Sequence, residues 1–147
     1  MRNANNEPTW RGDKNLSPAQ QGLTVLGVPM GHQAYIQSQL EELRKNHRRL
    51  LSRIPEVPDL QAAWLLLSFW GATRANFYLR TLDPEHSRLF ARNHDEDVWQ
   101  CLSSLLDIDP AIASANHSLA MSQLPQRRGG LGLRSAVRVL PAAAWAS

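Results

Sequence analysis

The chain has 147 residues, of which 43% are hydrophobic and 20% charged, and its net charge is +3. This length predicts one ordinary domain that buries roughly two thirds of the surface of its unfolded chain. The lone Cys101 excludes a disulfide within the chain, and the N-terminal residues lack the apolar core of a signal peptide. With no membrane-spanning stretch either, we expect a soluble intracellular protein, cytoplasmic or nuclear.

Charge is distributed unevenly along the chain. Residues 58–109 contain four Arg and eight acidic residues, whereas residues 110–147 contain four Arg and no acid. A second basic cluster lies between Arg44 and Arg53. Two interpretations stay open: the basic ends pair with the acidic middle in the fold, or they form a surface for polyanions, because clustered Arg attracts phosphate backbones.

The first part of the chain has little regular pattern. Residues 1–21 are rich in Asn, Gly, Pro and charge, which predicts a disordered or loosely attached segment. Residues 22–28 then form a short β-type run that ends before Pro29. A lone strand needs a hydrogen-bonding partner, and no second strand is evident, so we expect that partner to lie outside the chain.

Two helices are predicted between residues 32 and 82. In the first, mostly apolar residues recur at spacings of three and four from His32 to Ile54, and Pro55 ends the helix. The second, residues 59–82, has Asp59 as its predicted N-cap. It is apolar on nearly every side and is therefore predicted to be the buried centre of the domain. One predicted face contains Leu60, Ala63, Trp64, Leu67, Gly71 and Ala75, and the remaining sides contain Leu66, Phe69, Trp70, Phe77 and Tyr78.

Three further helices follow, each with a start signal. Asp83-Pro84 begins a helix to about Asp107, Asp109-Pro110 begins a shorter one to about Leu124, and Ser135 caps a last one to about Ala146. The predicted buried positions are Leu89, Phe90, Val98, Cys101, Leu102, Leu105 and Leu106 in the first of these, and Ile112, Ala115, Leu119 and Met121 in the second. The fold class is therefore mainly α, with about five helices in one domain, residues 22–147.

No active site is predicted from residue types and spacing. Residues 129–132, Gly-Gly-Leu-Gly, lack both the Walker and the dinucleotide pattern, so they indicate a structural turn. His94 and Asp97 could share a helix side, but two ligands do not make a metal site. We expect Asp95 or Asp97 to pair with Arg74 or Arg80 instead, and Cys101 to be a small core residue. Neither a cofactor nor a metal is predicted.

The order of several short motifs resembles one protein family. The motifs are Leu26-Gly27-Val28-Pro29-Met30-Gly31, Pro58-Asp59-Leu60-Gln61-Ala62-Ala63, Arg74, Arg80, His94-Asp95, Leu124-Pro125 and Gly129-Gly130-Leu131-Gly132-Leu133-Arg134-Ser135-Ala136. Residues 22–147 resemble the region after the catalytic palm in reverse transcriptases of non-LTR, LINE-type retrotransposons. The resemblance implies that Leu26 and Gly27 match the primer grip, and that a helical thumb and a linker follow.

The chain departs from that family by lacking the Tyr-x-Asp-Asp motif. Two-metal phosphoryl transfer needs such carboxylates, so we expect a non-catalytic fragment and no enzyme. The resemblance implies binding to an RNA or RNA–DNA backbone. Charge alone adds Arg44, Arg48, Arg127 and Arg128 as candidate phosphate contacts to the primer-grip residues Leu26 and Gly27.

The alternative is a helical protein-interaction module, or a relic without a selected function. Its partner would be the missing palm portion or another protein. Such a chain should expose apolar surface near Leu23–Val28 and Trp145. The oligomeric state is not predicted by either interpretation.

Overall fold

The computed structural model describes residues 15–109 and 115–146. These residues fall into two compact units, one ending at Leu43 and one beginning at Arg44. The division lies within the first helix, whereas the sequence suggested a boundary after residue 21. Residues 1–14 lie outside the described part, and residues 15–21 include a short 3₁₀ turn, Pro18–Gln20. That residues 1–21 are disordered or loosely attached stays a prediction.

The first unit contains a small antiparallel hairpin. Strand β1, Gly22–Val25, pairs with strand β2, Val28–Gly31, with Gly22 opposite Gly31. The two turn residues, Leu26 and Gly27, have φ values of 50° and 84°, the left-handed pair that matches the twist of a tight hairpin. The expectation of a strand without a partner was wrong, because β2, which includes the predicted boundary residues Pro29 and Gly31, is that partner.

The helices follow the hairpin. Helix α1, Gln33–Leu51, is followed by a 3₁₀ turn at Ile54–Glu56. The later elements are α2 (Leu60–Leu65), a π-helical turn (Leu66–Gly71), α3 (Asn76–Thr81), α4 (Pro84–Leu105), α5 (Ala115–Ser122), a 3₁₀ turn (Gln126–Arg128) and α6 (Ala136–Trp145). The predicted class is confirmed: a mainly helical chain with a short β segment near residues 22–28. In the described ranges, every helix is too short or too polar to cross a bilayer.

The predicted central helix is interrupted. Its buried positions recur every fourth residue at Ala63, Leu67, Gly71, Ala75 and Leu79. In a regular α-helix, each step of four residues rotates about 40° away from the previous one, so this face would drift around the axis. The π-helical turn, in which the Ala72 N–H donates to the Leu67 carbonyl at 2.8 Å, adds a residue to one turn and returns the face to the core.

The prediction that this segment is buried all round was wrong. Helices α4 and α6 pack against one side of it. That side includes the predicted face from Ala63 to Ala75, which is confirmed apart from the exposed Leu60 and the half-buried Trp64. Apart from the half-buried Tyr78, the large residues on the other sides are exposed: Leu65, Leu66, Phe69, Trp70 and Phe77.

Helix α4 carries much of the core in the second unit. Asp83 caps it by accepting the Glu85 N–H at 2.8 Å, and Pro84 occupies the first helical position, as predicted. The core cluster consists of Leu51, Ile54, Ala63, Leu67, Ala72, Val98, Trp99, Cys101, Leu102 and Leu133. Two predicted core positions, Leu89 and Leu106, are exposed instead.

The shorter helix α5 is only partly described. Its predicted start at Pro110 and its predicted apolar residue Ile112 lie outside the described residues. Leu119 is half-buried against the core cluster, whereas Met121 is exposed. The predicted width of its apolar face therefore stays a prediction, since the side chains of Ile112 and Ala115 lie outside the described part.

Candidate nucleic-acid interface

A buried ion pair joins α1 to α4. The Arg44 guanidinium donates from Nε to Asp97 Oδ2 at 2.9 Å and from Nη2 to Oδ1 at 3.1 Å, a two-pronged contact. Arg48 approaches the same carboxylate at 3.3 Å. The Asp97 side chain is only 2% exposed, so its charge needs these partners. The predicted pairing with Arg74 or Arg80 was wrong: both are exposed, and Arg74 lies over the Trp70 ring at 4.8 Å.

This ion pair changes the set of candidate phosphate contacts. The Arg44 side chain is 19% exposed and bound to Asp97, so it is not free to meet a phosphate. Arg48 remains half exposed at 52%, although Asp97 and Gln100 share its donors. A cavity of about 500 Å³ beside Arg48 and Arg49 also includes the Asp97 carboxylate. Its charge is therefore mixed, which makes it a poor site for a polyanion.

The second acid, Asp95, caps α6. Its carboxylate accepts the Ser135 hydroxyl at 2.6 Å and the backbone N–H groups of Ala136 at 2.7 Å and Val137 at 3.2 Å. The Ser135 oxygen in turn accepts the Arg138 N–H, as the predicted cap requires. An uncapped helix N-terminus attracts anions, but here Asp95 already occupies that position.

His47 and His94 form a buried stacked pair. Their ring centroids lie 4.8 Å apart, and their Nδ1 atoms are 3.2 Å apart. His94 Nε2 lies 3.2 Å from the Ala72 carbonyl and must donate to it, which leaves His94 Nδ1 as the acceptor for the His47 Nδ1–H. Burial, and then the neighbouring His94 and Arg74, lower the pKa of His47 to about 4. Burial also lowers the pKa of His94, so both rings are neutral at pH 7.

The described residues contain no group of three or more His, Cys, Asp or Glu side chains that could hold a metal ion. Cys101 is buried, and its thiol donates to the Leu51 carbonyl at 3.4 Å. Burial raises the pKa of Cys101 to about 11, which keeps the thiol protonated and unreactive at neutral pH. The prediction that Cys101 is a small core residue is confirmed.

An open groove runs beside the π-helical turn. It encloses about 580 Å³ and is lined by Trp64, Ser68, Phe69, Thr73, Gln123, Pro125, Gln126, Leu131, Gly132, Leu133, Arg134, Ser135, Arg138 and Val139. Phe69 is 74% exposed, and Arg134 and Arg138 are exposed as well. We call this feature the aromatic groove. It combines aromatic and guanidinium groups, which proteins that bind single-stranded nucleic acids use to stack bases and to contact phosphates.

The chain next to the aromatic groove is basic. Residues 115–146 carry Arg127, Arg128, Arg134 and Arg138 without any acidic residue. Arg127 and Arg128 are exposed on the 3₁₀ turn that also supplies Gln126 to the groove. The carboxylate of Asp95 reaches this segment, but the α6 N-terminus binds it. The surface around the groove therefore offers positive charge to an anionic ligand.

The glycine-rich stretch shapes this basic segment. Gly129 and Gly132 have φ values of 79° and 73°, and a Cβ atom on Gly130 would clash with the Leu124 carbonyl oxygen. The Gly132 N–H then donates to that same carbonyl at 2.8 Å. The prediction of a structural turn is confirmed, and this turn sets the path of the chain from Arg128 to Arg134.

The predicted primer-grip residues lie in the first unit. Leu26 and Gly27 form the tip of the hairpin, where Leu26 is 92% exposed. Sequence reasoning missed Phe69, Arg134 and Arg138, since it assigned Phe69 to the core and did not place the other two beside it. Comparisons of the chain with protein-family models, curated proteins and solved structures find no match. A function is therefore inferred from the geometry and charge of these two units.

Proposed function

We propose that this chain is a non-catalytic nucleic-acid-binding protein that contacts the backbone of RNA or of an RNA–DNA hybrid. The observation that carries the proposal is the acid-free segment with its four exposed arginines, Arg127, Arg128, Arg134 and Arg138, two of which line the aromatic groove. Guanidinium groups bind phosphate oxygens in a two-pronged geometry and release counterions when they do so. Arg48 is a secondary candidate for a phosphate contact, whereas Arg44 is not proposed because it is bound to Asp97.

We further propose that the chain is related to the thumb region of non-LTR reverse transcriptases. The support is the order of the motifs in the sequence, from Leu26-Gly27 to the glycine-rich turn, together with the mainly helical fold. The hairpin that carries Leu26 and Gly27 at its tip suits a primer grip. A DNA stretch that encodes a palm directly upstream of the reading frame would support this relationship. Unrelated DNA at that position would count against it.

A salt titration tests the binding proposal. The logarithm of the affinity for a short RNA–DNA hybrid is expected to fall linearly with the logarithm of the salt concentration. The slope is set by the number of phosphate contacts. Changing Arg134 and Arg138 to Gln should lower that slope by roughly one unit for each residue. The matched control changes Arg88 and Arg92, two exposed arginines of α4, to Gln and should leave the slope unchanged. Binding that is absent at low salt, or indifferent to ionic strength, contradicts the proposal.

The alternative, a helical interaction module, has its own support. Leu26 and Trp145 are more than nine-tenths exposed, in the two regions where the sequence predicted apolar surface. Exposed Leu65, Leu66 and Trp70 add a second apolar surface in the second unit. Sedimentation distinguishes the two proposals: self-association that rises with concentration, without affinity for the hybrid, favours the module. A monomer that binds the hybrid favours the first proposal.

A further inference from the structure

The aromatic groove suggests a more specific ligand than a nucleic-acid backbone. We propose that it binds a single strand, with an unpaired base stacked on the Phe69 ring and neighbouring phosphates held by Arg134 and Arg138. This inference rests on the proposed function and narrows its substrate class to unpaired nucleotides. Two observations support it: the exposure of Phe69, and the apolar, amide and guanidinium groups that line the groove. The difference in stacking between paired and unpaired bases then favours a single strand.

Phe69 is exposed because of the π-helical turn. Leu67, two residues earlier, is completely buried, whereas Phe69 is 74% exposed and lines the groove. The wide turn keeps Leu67, Gly71 and Ala72 on the core side, whereas Phe69 and Trp70 lie on its outer part. A phenyl ring left in water loses the benefit of burial, and a ligand with a flat face restores it.

The remaining groove residues suit a nucleotide. Trp64 and Val139 supply apolar surface, and Gln123 and Gln126 bring amide groups that can donate to and accept from base edges. A groove of about 580 Å³ lies within the usual size of a small-ligand site. The two exposed arginines complement the charge of the phosphates on either side of a stacked base.

The stacking of paired bases explains why the groove should prefer a single strand to a duplex. In a duplex, each interior base is already stacked on both faces, so Phe69 cannot reach a free face without unstacking it. An unpaired strand presents such faces at no comparable cost. We therefore expect tighter binding to a single strand than to an RNA–DNA hybrid of equal length at the same salt concentration.

The experiment uses the full chain and two variants of Phe69, one without the ring and one with it. Phe69→Leu keeps the site apolar but removes the aromatic ring, and Phe69→Tyr keeps the ring. Stacking on an aromatic side chain contributes enough that its loss should weaken single-strand binding by about fivefold or more, measured by fluorescence anisotropy with a labelled oligonucleotide. Phe77→Leu is the matched control, since Phe77 is also exposed and does not line the groove.

The outcomes separate this inference from the proposed function. It is supported if Phe69→Leu weakens single-strand binding, Phe69→Tyr restores it, and hybrid binding changes little in either variant. If Phe69→Leu binds single strands as tightly as the unmodified chain, or if all variants prefer the hybrid, the inference is overturned while salt-dependent backbone binding stands. Absence of binding to both ligands at low salt overturns the proposed function and this inference together. Circular dichroism confirms that each variant is folded.

Discussion

Ser135 donates its hydroxyl hydrogen to the Asp95 carboxylate across 2.6 Å, and this bond joins the N-terminus of α6 to the middle of α4. The same carboxylate accepts two backbone N–H groups of α6. These donors have no partner within their own helix, so an acid from another helix satisfies them. The contact also fixes the start of α6, from which Arg138 reaches the aromatic groove.

Removal of the Asp95 carboxylate should destabilise the protein. Asp95→Ala leaves three donors without their charged acceptor, and we expect a loss of about 2 kcal/mol in the free energy of unfolding. Urea denaturation measures this loss. Glu96→Gln is the control, because Glu96 is next to Asp95 on α4 but exposed. An equal effect of the two changes would contradict the role assigned to Asp95.

Loss of the buried Asp97 charge should be more damaging. Asp97→Asn removes the buried counter-charge of the Arg44 guanidinium and leaves only the exposed Glu96 carboxylate, 3.7 Å away, so we expect a loss of about 3 kcal/mol. Arg48→Gln should cost less than about 1 kcal/mol, since Arg48 is half exposed and water screens its contact with Asp97. Urea denaturation tests both losses, provided that the dependence of the free energy of unfolding on urea concentration is the same in all variants. The assignment fails if Arg48→Gln is the more destabilising change.

The buried histidine pair predicts a dependence of stability on pH. The pKa of His47 is about 4 in the folded protein, below its ordinary value of 6.5, so the unfolded chain binds more protons between these values. The free energy of unfolding should therefore be fully retained above pH 6.5 and fall as the pH drops towards 4, by on the order of 3 kcal/mol. Thermal unfolding over this pH range measures the fall.

Two variants test the origin of that dependence. His47→Gln should flatten the decline, because the amide does not titrate and can still donate to His94. His117→Gln should leave the decline intact, since His117 is exposed on α5. A decline of the same steepness in His47→Gln would assign the effect to other groups.

The glycine-rich turn predicts two different costs for alanine. At Gly130 a Cβ atom would clash with the Leu124 backbone, so Gly130→Ala should cost about 2 kcal/mol or more. At Gly129 the space is open and only the positive φ of 79° opposes a side chain, so Gly129→Ala should cost about 1 kcal/mol. Thermal denaturation of the two variants compares these costs. A more damaging change at Gly129 would contradict this account of the turn.

Three helix caps were predicted correctly, whereas the two-residue hairpin turn at Leu26 and Gly27 was missed. Asp59 accepts the Ala62 N–H at 2.6 Å, and Asp83 and Ser135 cap their helices in the same manner. A helix cap involves residues two or three positions apart, so its geometry follows directly from the sequence. The helical class followed from the same signals together with the periodicity of apolar residues.

Choices between distant partners were not predictable in this way. The sequence identified Asp95 and Asp97 as acids in need of partners but assigned them to Arg74 or Arg80, whereas the structure pairs Asp97 with Arg44 and binds Asp95 to α6. Several arginines were equally suitable by charge. Only the packing of the second unit brings Arg44 to within 2.9 Å of Asp97.

The sequence by itself determined the helical class, the helix caps at Asp59, Asp83 and Ser135, the basic C-terminal segment and the structural turn around Gly130, because each depends on neighbours along the chain. The tertiary structure decided which side of residues 60–81 is buried, and it thereby left Phe69 exposed beside Arg134 and Arg138. The physical reason is that burial depends on which helices cover a face. The apolar sequence of this segment indicates only that its residues can be buried. The π-helical turn and the packing of α4 and α6 determine which of these residues are buried.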